Sequence, residues 1–318
     1  MFNAKMCAVA LVAMIGFGQT AAQAQIMSSL AEITDFSYTL TDLKPNDWVS
    51  PSLTAGKNGS SIDFENWVDL SGKDRSSPED RFSSNSHNSL SLIDATQVQE
   101  GFTLNGGFTK VSKDGGHLSA QTSGDASTFA DVPFGFEPGG APGQAALRTD
   151  ARGSSWWSLS ANTAAVLTGT LRLQLSADAS VFASDPYLQS TGVRVNTAAW
   201  GQVHVSASQQ GVGDVFNAIE GEGGIFYLTE RIDFSDALSP PRYAVTDIGG
   251  VSYLERHFEI RVTNTSNKAL DLYFQNMVGS GTWVYAIDAT SAIPEPGTWA
   301  FMGIGLGLMA WRVRGRHA

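Results

Sequence analysis

The side chains with most chemistry to offer in this 318-residue chain are its 31 carboxylates, five histidines and single cysteine. Cys7 lies in an apolar N-terminal stretch, so the rest of the chain has no thiol for a nucleophile, a disulfide or a thiolate metal site. His87, His117, His204 and His257 precede the C-terminal segment, and none has a second histidine at metal-ligand spacing. His204 and His257 fall on the polar phase of predicted strands and read as solvated sheet residues. Glu220, Glu222, Glu230, Asp233 and Asp236 crowd together in sequence. A glycosidase needs two acids roughly 5–10 Å apart across a cleft, and nothing in their spacing selects such a pair. Asp63, Glu65 and Asp69, or Asp69 with Asp74, offer oxygens for calcium without the spacing of an EF-hand loop. No H-E-x-x-H, G-x-S-x-G, P-loop or dinucleotide fingerprint is present. The expectation is therefore no catalytic residue, no metal and no cofactor, with an unrecognised glycoside hydrolase as a distant alternative.

Aromatic side chains are the stronger clue. Trp156 and Trp157 are adjacent, so in a strand they point to opposite faces. Trp48, Trp67, Trp200 and Trp283 add further rings. A flat ring exposed on a sheet can stack against the apolar face of a sugar, which makes a carbohydrate-binding module the main alternative to a purely structural protein.

The elements that would position these residues are strands. Leu171, Leu173, Leu175 and Ala177 alternate with Thr170, Arg172, Gln174 and Ser176, the period-two signature of a half-buried strand. Phe258, Ile260 and Val262 repeat it. So do Val203, Val205 and Ala207; Leu270, Leu272 and Phe274; and Phe36, Tyr38 and Leu40. Weaker strands are predicted around 90–94, 101–111, 193–196, 225–233, 243–247 and 282–287. Asn105-Gly106-Gly107, Asp114-Gly115-Gly116, Gly249-Gly250 and Asn264 to Asn267 supply turns between them. Residues 71–89 read as a long polar surface loop. The proline- and glycine-rich stretch 131–153 reads as an internal boundary or a crossover. The pattern predicts an antiparallel β-sandwich or jelly-roll-like domain over residues 25–292.

Charged residues make up only 16% of the chain and its formal net charge is −11. Setting aside the basic residues of the two terminal segments makes the central region more negative still. Such a surface repels phosphate backbones, which excludes nucleic acid as a partner.

Both ends carry address-like segments. At the N-terminus, Lys5 precedes an apolar run from Met6 to Phe17, followed by Ala22-Gln23-Ala24. The run is too short to span a bilayer, and the small-x-small ending predicts a signal peptide over 1–24, cut by signal peptidase after Ala24. Near the C-terminus, Pro294-Glu295-Pro296 forces extended backbone, a charge-free run extends from Trp299 to Trp311, and Arg312, Arg314 and Arg316 follow. Two interfacial tryptophans and a basic stop predict a short transmembrane helix, with the central domain on the far side of the inner membrane from the arginines.

These last features, taken together over residues 293–316, resemble the PEP-CTERM sorting signal of Gram-negative bacteria, also described as an ice-binding-protein C-terminal domain. The resemblance implies recognition of Pro294, Glu295 and Pro296 by an exosortase-type membrane peptidase, removal of the tail, and association with exopolysaccharide or biofilm matrix. It does not imply ice binding. The expected protein is exported, held briefly by its C-terminus, and then placed at the cell surface or in the extracellular matrix.

Overall fold

The computed structural model describes residues 27–70, 81–104, 106–129, 144–177, 193–209, 213–214, 217–220, 224–235, 246–248 and 251–286. The signal-peptide residues Ala22 and Ala24 lie outside these. So do the sorting residues Pro294, Glu295 and Pro296, the tryptophans 299 and 311, and the arginines 312, 314 and 316. Among the described residues no helix is long and apolar enough to cross a membrane.

Fourteen strands and one helical turn, α1 (Ala126–Phe129), follow one another along the described chain. One seven-stranded sheet contains β1 (Met27–Asp42), β4 (Val98–Leu104), β5 (Gly107–Asp114), β6 (His117–Gly124), β8 (Thr163–Ala177), β12 (Thr246–Ile248) and β13 (Val251–Asn264), in the order β12-β13-β8-β1-β6-β5-β4. The second contains β2 (Leu53–Asp69), β3 (Arg81–Asn88), β7 (Gln144–Leu159), β9 (Val193–Gln209), β10 (Gly213–Asp214), β11 (Ile225–Ser235) and β14 (Leu270–Ala286). Its order is β10-β9-β14-β7-β2-β3, and β11 also pairs with β9. All pairings are antiparallel, as the alternating pattern predicts.

Register explains why the alternation becomes a core. In the first sheet Ile33 pairs with Leu118 on one side and Leu171 on the other. In the second, Leu272 pairs with Trp157 and Ala207. Each apolar phase is thus continued sideways by its neighbours, and the two apolar faces share one buried cluster. Phe36 of β1 packs 4.9 Å from Phe274 and 6.0 Å from Trp157, which itself stacks on Phe274 at 4.8 Å. Leu171, Leu173, Leu175, Val203, Val205, Phe258, Ile260, Val262, Leu270 and Leu272 are all buried, as expected from their phase.

Four expectations change. Phe36, Tyr38 and Leu40 do not share one face evenly. The β1 register shifts between Thr34 and Ser37, where Asp35 takes a left-handed φ of 55°, so Phe36 stays buried while Tyr38 is exposed. Residues 71–89 are not all loop, because β3 forms there as the edge partner of β2. Its serines and asparagines carry no apolar phase, and backbone pairing alone recruits them. Residues 90–94 form a turn rather than a strand, with Leu90 and Leu92 buried as plugs. The stretch 131–153 contains the start of β7.

Asn264 joins two connections between the sheets. Its Nδ2 donates to the carbonyls of Leu159, Ser160 and Lys268 at 3.3, 2.9 and 2.8 Å, and its Oδ1 accepts from the Ser266 amide. This ties the β7–β8 and β13–β14 turns together at one end of the sheets.

Candidate functional site

Alternation leaves the other phase of the second sheet on its outer face. There β9, β14, β7, β2 and β3 lie side by side. Trp200 pairs with Gly279 across β9 and β14, and Gly279 pairs with Asp150 on β7. One step along, Gly281 pairs with Arg148, Arg148 with Trp67, and Trp67 with Phe82. Residues 67, 82, 148, 200 and 281 thus meet on one strip.

Two glycines shape the strip by close approach. A Cβ on Gly279 would lie 2.2 and 2.3 Å from Cε2 and Nε1 of Trp200. A Cβ on Gly281 would lie 2.3 Å from Cη2 of Trp283. Each indole therefore occupies the space a β14 side chain would fill, and lies down over the strand. The two indole planes are within 24° of parallel, with centroids 6.5 Å apart. At the other end Trp67 and Phe82 form a second ring pair, 5.1 Å apart, and both are exposed.

Arg148 bridges the two pairs. Its guanidinium carbon lies 5.8 Å from the Trp67 ring and 5.4 Å from the Trp200 ring, within cation–π range of both. Asp150 holds it there, accepting from Nε at 3.0 Å and lying 2.7 Å from Nη2. Asp150 is 1% exposed. Burial raises its pKa, and the charge of Arg148 works against that rise. Its Oδ1 has no hydrogen-bond partner and sits over Gly279 beside the Trp200 indole.

A second aromatic row crosses the same face. Trp156 packs 4.9 Å from Tyr273, and His204 lies 6.1 Å from both Tyr273 and Tyr227. Burial among these rings lowers the pKa of His204. These rings meet at 44° to 70°; in the strip Trp67 and Phe82 meet at 49° and the two indoles at 24°.

The sequence-selected groups separate as follows. Trp157 is buried in the core and Trp156 faces outward, as adjacency in a strand requires. Trp48 is fully exposed, away from the strip. Glu230 pairs with Arg256, whereas Asp233 pairs with Arg231, and odd spacing on β11 puts the two acids on opposite faces. Glu220 lies 3.6 Å from Arg261; Glu222 and Asp236 are outside the described residues. Asp63, Glu65 and Asp69 run along β2, so the first and last are about 20 Å apart on an extended strand. Asp74 lies outside the described residues. Among the described residues no three His, Cys, Asp or Glu side chains gather to hold a metal.

His87, His117 and His257 join carboxylates instead. His87, on edge strand β3 of the second sheet, contacts Glu100 on edge strand β4 of the first at 2.8 Å. On the first sheet's outer face His117 contacts Glu32, Arg172 bridges Glu32 and Glu255, and His257 contacts Glu255. Tyr253 donates to the same Glu255 carboxylate.

Arg148, Asp150, Gly279 and Gly281 were not selected from sequence. The one local signal is G-x-G at 279–281 inside a strand, which marks close approach by another group.

Residues 292–316 match the PEP-CTERM protein-sorting motif. A PEP-CTERM segment marks a chain for export, transient C-terminal anchoring and sorting by an exosortase, a membrane protein. No curated protein matches the chain. Among solved structures the chain is similar to oxalate decarboxylase from Bacillus subtilis at pH 4.6, with 7% identity over 88% of this chain and 75% of that one. The TM-score of 0.09 is too low to carry an argument about fold or activity.

Proposed function

We propose that this protein is a non-enzymatic extracellular protein that remains with the polysaccharide of the matrix after exosortase processing. In this reading residues 1–24 are removed by signal peptidase and residues 293–318 hold the chain until exosortase cuts at Pro294-Glu295-Pro296. Residues 25–292 then act outside the cell. The aromatic strip of the second sheet carries the proposal. A soluble domain ordinarily covers or scatters large apolar rings, and here Trp67 and Phe82 stay exposed beside two flattened indoles. Sugar rings are the extracellular partner that such surfaces suit, since one face of a pyranose is apolar and its rim is polar.

Mass spectrometry of the released protein tests the processing. The expected termini are near Gln25 and near Pro294. An intact arginine tail on the released form, or a reporter fused to the β region that proves cytoplasmic, overturns it. Retention in the matrix is read by washing cells with soluble glycan and measuring the protein set free.

A further inference from the structure

We infer that the strip Trp283–Trp200–Arg148–Trp67–Phe82 is a binding site for an uncharged glycan chain lying across the strands of the second sheet. The inference rests on the extracellular reading above and specifies its ligand.

Three observations converge. The first is shape. Trp200 and Trp283 lie over Gly279 and Gly281 with their planes within 24° of parallel, so the two indoles share one orientation on the outer face. That geometry matches pyranose rings whose hydroxyls are mainly equatorial, because their C–H bonds then collect on the two ring faces. The second is length. From β9 to β3 the strip crosses four strand intervals, about 19 Å at the usual spacing. This suits several linked sugars better than one.

The third is charge. Around the strip Arg148 faces Asp150, Arg152 lies 3.9 Å from both Glu65 and Asp150, and Arg231 lies 3.5 Å from Asp233. Each of these three cations is met by at least one carboxylate, and the whole chain is at −11. Paired arginines on an acidic chain disfavour a polyuronate or a sulfated chain, so complementarity selects a neutral one. Arg148 gives the strip a polar centre. Asp150 engages two of its five N–H donors, and the side chain is 34% exposed, leaving donors for sugar hydroxyls. Asp150 is thus a positioning residue, holding the guanidinium between the Trp67 and Trp200 rings.

The experiment is affinity electrophoresis and calorimetry with the full chain in detergent micelles. The probes are hydroxyethylcellulose and glucose oligomers of increasing length, with alginate as the polyanion. The expected result is retardation by the neutral polymer, affinity that rises with oligomer length, and no retardation by alginate. Trp67→Ala, at an exposed position, and Trp200→Ala should each weaken binding roughly tenfold. Tyr227→Ala, exposed on the same face outside the strip, should bind as the parent does. Preference for alginate, affinity that is flat with length, or binding unchanged in both tryptophan variants overturns the site. Since the assay uses purified protein, it is blind to export. Unprocessed termini or a cytoplasmic reporter would overturn export and leave the strip standing, whereas a failed binding series would overturn the strip, and retention in the matrix with it, and leave export standing.

Discussion

Replacing Gly279 with alanine tests the floor of the strip. The added methyl would stand 2.2 Å from Asp150 Oδ1 and from Trp200 Cε2, and 2.3 Å from Trp200 Nε1. Carbon contacts become favourable only near 3.5–4.0 Å, so the indole must retreat by roughly 1 Å or more. Neither neighbour yields easily. The indole is rigid, and Asp150 is held by Arg148. Overpacking of this kind costs about 1–3 kcal/mol. Lifting Trp200 also weakens its contact with Arg148, which is 5.4 Å from the ring. Urea unfolding read by circular dichroism measures the stability change, with the slope expected to stay at the parent value. Indole fluorescence reads the exposure of Trp200, and the emission should move to the red. Stability within about 0.5 kcal/mol of the parent with unchanged emission would refute the claim that Trp200 lies over this glycine.

Other outcomes follow from the core, the corners and the charge network. Phe274→Ala removes a fully buried ring that contacts both Phe36 and Trp157, and should cost about 3–5 kcal/mol in the same urea assay. Asn264→Ala strips donors from the carbonyls of Leu159, Ser160 and Lys268. It should cost about 1–3 kcal/mol and make the paired turns at 160–162 and 265–269 the first sites of limited proteolysis. Burial and its hydrogen bond to Glu255 push the Tyr253 phenol up from 10.0 to about 12. Because the folded value is the higher one, this contribution is intact below pH 10 and is lost as pH rises toward about 12. Phenolate absorbance should show one late-titrating tyrosine, absent in Tyr253→Phe. Glu255 runs the other way. The Tyr253 hydrogen bond, then Arg172, lowers its pKa below 4.5, so its contribution is present above that pH and fades as pH falls through the folded value.

Strands whose two phases differ sharply could be read directly. Leu171, Leu173 and Leu175, or Phe258, Ile260 and Val262, declare one buried side by alternation alone. β3 could not be read, because Arg81–Asn88 contains one large apolar residue, Phe82, and that residue is exposed. β6 was hidden for a different reason. Its inward Thr122 reads as polar, yet its hydroxyl lies 2.8 Å from those of both Ser29 and Ser280, so it is satisfied between the sheets. In β1 the break at Asp35 came from a single left-handed residue, which alternation does not register.

The candidate site divides the same way. Each tryptophan could be marked as a stacking group from its chemistry, and the adjacent pair Trp156-Trp157 could be assigned to opposite faces. That Trp67, Arg148, Trp200 and Gly281 are neighbours could not be foreseen. They come from β2, β7, β9 and β14, and only the pairing register places them on one strip.

Signals confined to a few consecutive residues were settled by the chain itself: the C-terminal sorting motif, the phases of the clearly alternating strands, and the turns at 114–116 and 264–267. Such signals depend on backbone preference and local periodicity, which neighbouring residues carry in full. The tertiary structure decided which tryptophans became surface and which became core, and which charges were paired. Those outcomes depend on register between strands far apart in sequence, and a slip of one residue would send every ring of the strip to the opposite face.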